Sequence, residues 1–210
     1  ALQTAHENGV NIRLSLNTNP ENEADLPTET ALARTCTEAR HRPLPSPFLA
    51  IIDRTQVCFA PHARSMSQYG VLVDDRTHAY VFHWYFLSCL WEIFEPIHST
   101  RPTSPPIRYV DIRECIRDLE PLLGESTVEA HIEGHDTETG EEYDLHGTIV
   151  DTFYTGDSID EQAASLVQLA GRATLTLDDG IREYTIGGWG AILEPIEATT
   201  ITIESLSAIC

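Results

Sequence analysis

The sequence predicts an α+β protein in two parts, an α/β domain over residues 1–106 and a β-rich domain over 107–210 that closes as a small barrel or sandwich. Three observations carry that expectation. The chain opens helix, glycine, strand, the αβ half of an α/β unit. Ser99 to Ile107 (STRPTSPPI) is rich in proline and serine and reads as a linker. After one further helix, everything beyond Gly124 is strand-like, with alternating apolar and polar residues broken by turn signals.

In chain order, Ala1 to Asn8 has helical character and Gly9 is its stop signal. Val10, Ile12, Leu14 and Leu16 alternate with polar residues, the pattern of a half-buried strand. Asn17 to Pro27 is acidic and turn-rich, a loop. Thr28 to Arg40 reads as a short helix capped by Thr28. Phe48 to Ile52 and Gln56 to Ala60 flank the turn Asp53-Arg54-Thr55, which makes a hairpin. Tyr69 to Val73 is a further strand. Thr77 to Ile97 is apolar on two faces, which predicts a central buried helix. Tyr109 to Leu123 places Tyr109, Ile112, Ile116, Leu119 and Leu123 on one helical face. Strands are expected at Thr127 to Ile132, Tyr143 to Tyr154, Ala173 to Leu177, Glu183 to Ile186 and Ala191 to Ile203. Asp136 to Gly140 and Asp178-Asp179-Gly180 supply hairpin turns.

Composition narrows the function classes. With 41% hydrophobic residues the chain can bury a core, which argues against global disorder. The net charge is -20, from 33 acidic and 13 basic residues, and every basic residue is arginine. An acidic chain without lysine has the character of a protein from a salt-saturated cytoplasm, where charge is screened within a few ångströms. Scattered arginines in so acidic a chain argue against nucleic-acid binding by this region, which needs clustered cations. Cys36, Cys58, Cys89, Cys115 and Cys210 show no zinc-ligand spacing and read as reduced, mostly buried thiols of an intracellular protein. No signal peptide is evident, and no apolar run is long enough to cross a bilayer. The chain opens on Ala1 in helical character, which reads as a fragment that has lost an N-terminal domain.

Catalytic motifs are missing from the sequence: it holds no GxSxG, HExxH, P-loop or GxGxxG. His131, His135 and His146 could approach a metal, but no cysteine or second ligand pair stands near them, so they read as surface histidines. Glu133/Asp136 and Glu141/Glu142 read as turn residues of an acidic chain. His83, within the apolar helix, reads as a core histidine. No catalytic residue, metal ligand or cofactor is therefore expected, and the chain is read as a non-enzyme. The densest stretch is Gly187-Gly188-Trp189-Gly190-Ala191-Ile192-Leu193-Glu194, with three glycines, one indole and one carboxylate. Glycine within strand-like sequence marks a bulge or a close approach to the backbone.

Four stretches carry a family resemblance: Phe48 to Arg64 (FLAIIDRTQVCFAPHAR), Tyr69 to Glu95, Tyr109 to Leu123 with the following VEAHIEGHDTETGEEYDLHGTIVD, and GGWGAILEPIEATTITIE. In this order they resemble the C-terminal effector region of the TrmB family of archaeal sugar-sensing transcriptional regulators, in the form seen in salt-loving archaea. The resemblance implies a phospholipase D-like α/β scaffold domain followed by a small C-terminal β-barrel domain that closes over a sugar. It implies DNA binding through an N-terminal winged-helix domain, missing from this chain. The scaffold is expected to be catalytically inert, because phospholipase D chemistry needs an HxK motif and this chain has no lysine.

Carried over by position, the ligand-binding residues are Ser99, Gly188, Gly190 and Glu194, with Trp189 added for an apolar sugar face. The family's asparagine in the preceding barrel strand has no counterpart near Ala173. A carboxylate can accept two sugar hydroxyls, at roughly 1.5–3 kcal/mol per charged hydrogen bond when desolvated. The expected partners are a sugar or polyol effector, DNA through the winged-helix domain and, as an option, a second copy of the chain. No membrane partner is expected, and the location is cytoplasmic. The expected function is sugar sensing that controls sugar transport or central carbon metabolism genes. The alternatives are a dimerisation or protein-interaction module with a vestigial pocket and, weaker, a phosphodiesterase-type hydrolase.

Overall fold

The structure is a computed structural model that describes residues 1–18, 26–62, 65–155, 169 and 171–208. It is a mixed α/β chain whose regular structure is mostly sheet. The chain divides into two compact units, Ala1–Arg101 and Pro102–Cys210. The loop expected at 17–27 and the stretch expected at 48–64 lie partly outside the described residues, as does Cys210.

The first unit opens with α1 (Leu2–Glu7), followed by Gly9 at φ 81. Strand β1 (Arg13–Asn17), helix α2 (Glu29–Thr35) and strand β2 (Glu38–Arg42) form a unit in which β1 and β2 pair in parallel. Helix α2 begins at Thr28, whose hydroxyl accepts a hydrogen bond from the backbone N–H of Ala31. Leu32, Cys36 and Ala39 form the buried centre, with Ile12, Leu14, Leu16 and Ile97 packed against it. Strand β3 (Phe48–Ile52) and strand β4 (Gln56–Ala60) make the expected hairpin, and β5 (Val71–Asp74) adds a third antiparallel strand. Asp53 and Arg54 both take positive φ, 50 and 60, in a three-residue connection that the N–H of Thr55 closes by donating to the Ile52 carbonyl at 3.1 Å. Helix α3 (Arg76–Tyr85) runs on into a π-helical segment, Phe86–Trp91, and β6 (Glu95–Ser99) then pairs with β2.

Two expectations fail here. The helix read to Arg40 ends at Thr35, because Cys36 turns to an extended conformation and the next residues pair between β1 and β6. The long helix read to Ile97 stops at Trp91, and Pro96 sits in a strand. Nor is that helix buried all round. Val81 is 61% exposed, because the sheet of β3, β4 and β5 covers one side only. Ala79, Leu87, Leu90 and Trp91 carry the buried face. Trp91 is held from outside the helix: Arg40 lies 4.6 Å over its ring and donates to its carbonyl at 2.6 Å.

The second unit begins with β7 (Ile107–Tyr109) and α4 (Ile112–Leu119), which a 3₁₀ turn (Glu120–Leu122) ends. The helix starts at Ile112 rather than Tyr109, because Asp111 caps it and accepts a hydrogen bond from the N–H of Arg113. Tyr109 closes β7 instead, and its hydroxyl donates to Asp118. Strands β8 (Ser126–Asp136), β9 (Glu142–Tyr154), β10 (Ala173–Asp178), β11 (Glu183–Gly187) and β12 (Ile196–Ala208) follow. The sheet order is β11-β10-β9-β8-β12-β7. Strand β11 also pairs in parallel with β12 at Ile186↔Ile196 and Gly187↔Glu197, so five strands form a closed circuit of pairings. Buried apolar residues alternate along them: Val128, Ala130 and Ile132 on β8, Leu145 and Ile149 on β9, Leu175 and Leu177 on β10. The last strand starts at Ile196, not Ala191, because 191–195 form a turn that ends in Pro195.

Candidate functional site

The turn between β11 and β12 is built by close packing. The N–H of Ala191 donates to the carbonyl of Gly188 at 2.9 Å and closes it. Gly190 has φ 82, a left-handed conformation that an L side chain adopts only with strain. Its N–H donates to Glu197 Oε2 at 3.1 Å. Gly188 is buried with no room for a Cβ, because Ile112 of α4 fills that position and Arg113 Nη1 lies 3.5 Å from it. The β8–β9 hairpin clasps the far end of the turn. Thr137 donates its N–H to the Pro195 carbonyl at 2.9 Å and its hydroxyl to the Glu194 carbonyl at 3.1 Å.

Glu194 is only 4% exposed. Its Oε1 accepts from Arg172 Nε at 2.7 Å and from the Thr174 hydroxyl at 2.6 Å. Burial pushes the Glu194 carboxyl up, but the hydrogen bonds from Thr174 and Arg172 outweigh it and hold the group below the ordinary glutamate value. Other charged groups are buried in the same unit. Arg113 lies 3.6 Å from Asp111 and donates to the Leu169 carbonyl at 3.0 Å. Glu197 is buried with His135 at 4.0 Å.

The sequence-predicted residues fall out as follows. Gly188, Trp189, Gly190 and Glu194 all belong to this turn. Trp189 is 7% exposed, the burial of a packing residue. Ser99 is in the first unit, exposed at the end of β6, where its hydroxyl accepts from the N–H of Arg101 at 3.2 Å. Sequence reasoning missed Arg172, Thr174 and the Asp111–Arg113 pair. The available signal was an arginine directly before a strand in a chain with few cations, and an Asp-x-Arg at a helix start. An open cavity among the described residues is lined by Glu133, His135, Tyr143, Asp144 and Thr199, away from this turn. His83 is half-buried in α3. Asp136 ends β8, and its carboxylate accepts from the N–H groups of Thr139 and Glu138. Glu133 and Glu142, expected in turns, instead lie in β8 and β9, because the strand pairing runs out to His135 and Glu142. Among the described residues, Cys36 and Cys115 are buried, whereas Cys58 is half-buried and Cys89 exposed, and none of the four is in a disulfide.

No helix among the described residues is long and apolar enough to cross a membrane. Residues 1–98 match the family model described as transcriptional regulator TrmB, EBD N-terminal subdomain. Residues 104–206 match the model described as TrmB/TrmBL1, EBD C-terminal subdomain. None of the curated proteins matches the chain.

Proposed function

The chain belongs to the TrmB family as its effector-binding region, and we propose that it senses a sugar or related polyol at the β11–β12 turn. The observation that carries this reading is Glu194, a buried and charged carboxylate set beneath a glycine turn. A carboxylate offers about four lone-pair sites. Arg172 and Thr174 take Oε1, and in this reading Oε2, which packs beside Gly187, is the oxygen that accepts sugar hydroxyls. Gly188 and Gly190 contribute backbone groups, and the Thr174 hydroxyl stands beside the same carboxylate. In this reading the closed strand circuit is a small barrel and the first unit a phospholipase D-like scaffold without catalytic function. Sugar binding favours one arrangement of the regulator over another, which requires different affinities for the two. A winged-helix domain joined to this region then changes its hold on DNA, in the cytoplasm, at sugar transport or central carbon metabolism genes.

Isothermal titration with glucose, maltose and other sugars at multimolar KCl tests the proposal. Heat and a thermal shift with at least one sugar are expected, both strongly reduced in Glu194→Ala. Silence from every sugar sinks it. Ser99→Ala, read in the same titration, tests the remaining residue of the set. A second reading, a dimerisation or interaction module with a vestigial pocket, is favoured by one observation: Gly188 and Glu194 are already engaged by Ile112, Arg172 and Thr174. It predicts silence with sugars together with a concentration-dependent increase in mass.

A further inference from the structure

On the side of β8 and β9 away from the buried residues, His131 and His146 are direct cross-strand partners. Their rings stack with centroids 4.1 Å apart and planes at 7°. Asp144 precedes His146 by two residues and so shares its face. Its Oδ1 lies 2.6 Å from His131 Nε2 and 3.7 Å from His146 Nε2. One ligand atom from each of the three residues lies within 4.8 Å of the other two. From this arrangement we propose that His131, Asp144 and His146 bind a divalent transition metal of the zinc class.

The donor set fits that chemistry. Zinc takes imidazole nitrogen at roughly 2.0–2.1 Å and carboxylate oxygen at roughly 2.0–2.2 Å, so its tetrahedral ligand atoms lie about 3.4 Å apart. The distances of 2.6 Å and 3.7 Å bracket that spacing. The in-plane lone pairs of two parallel rings do not converge, so binding requires the exposed His146 ring to swing out of the stack and Asp144 to rotate with it, while the paired strands hold the backbone still. Two imidazoles select zinc, copper or nickel over magnesium or calcium, which prefer oxygen. The second nitrogen of His146, Nδ1, faces Glu204 Oε1 of β12 at 3.7 Å. A carboxylate behind a ligating imidazole fixes its orientation and raises its basicity, and metal sites commonly carry one. Three protein ligands leave a fourth position for water or another donor. The site uses no residue of the β11–β12 turn and stands or falls apart from sugar binding.

Titration of the untagged, chelator-stripped full chain with zinc chloride by calorimetry tests the site. One equivalent should bind saturably, with a matching rise in melting temperature. His131→Ala and His146→Ala should each weaken binding at least tenfold, while His135→Ala, on the same strand and face but facing Glu197, should leave it unchanged. Asp144→Asn removes the ligating charge at constant shape and should weaken binding even if an alanine variant loosens the strand pair. Absence of saturable uptake overturns the proposal. So does one-equivalent binding that survives both histidine substitutions, or equal affinity for magnesium chloride.

Discussion

At Glu194, two donors outweigh the cost of burying a carboxylate. A charged hydrogen bond contributes roughly 1.5–3 kcal/mol, and removing the acceptor leaves the buried Thr174 hydroxyl and the Arg172 cation without it. Glu194→Ala is therefore expected to lower stability by about 2–3 kcal/mol in urea denaturation, and Glu194→Gln by less. The pH dependence follows from the lowered folded value. Because the unfolded group binds its proton more readily, the stabilisation is complete above the ordinary glutamate value. It is lost as pH falls through the depressed one. The gap in stability between the native chain and Glu194→Gln should be widest near neutral pH and close on acidification. A gap that persists in acid would contradict this account. The indole between the glycines is 7% exposed, so Trp189→Ala should cost stability whatever its part in binding.

At the scale of elements, caps set where helices begin, and their worth depends on burial. Thr28 caps α2 at an exposed position, so Thr28→Ala should cost about 1 kcal/mol. Asp111 caps α4 while buried beside Arg113. Asp111→Ala also removes a buried anion 3.6 Å from that guanidinium, and a larger loss than at Thr28 is expected. Asp111→Asn should lose less, because asparagine still caps. Equal losses for Thr28→Ala and Asp111→Ala would remove the pairing from the explanation. The β3–β4 hairpin was legible because an apolar run, a turn and a second run are local features. Strand β2 was not. Its residues, Glu38–Arg42, include one apolar side chain, and the strand exists because β1 and β6 pair with it from both sides. The π-helical segment Phe86–Trp91 was equally hidden, since it differs from an α-helix only in which carbonyl each N–H meets.

For the whole molecule the dominant quantity is its net charge of -20. Self-repulsion opposes the compact state, and salt shortens its range from about 10 Å at 0.1 M to about 3 Å at 1 M. The urea midpoint should rise steeply as KCl increases from 0.1 M towards molar concentrations. A flat response would mean that the carboxylates are already balanced by local contacts such as Arg172–Glu194. A salt-dependent chain is also what the lysine-free composition leads one to expect.

Local patterns in the chain were enough to set the mixed α/β character, most strands of the second unit and the family, because hydrophobic period, turn residues and motif order are all short-range. They also singled out the glycine-rich stretch ending at Glu194. Tertiary structure alone decided what that stretch touches: Ile112 beneath Gly188, and Arg172 and Thr174 on Glu194. It alone set His131 against His146, 15 residues apart in sequence and facing each other across two strands. The reason is register. The pairing of β8 with β9, and the closure of β11 on β12, choose which distant side chains meet, and no local window of the sequence encodes that choice.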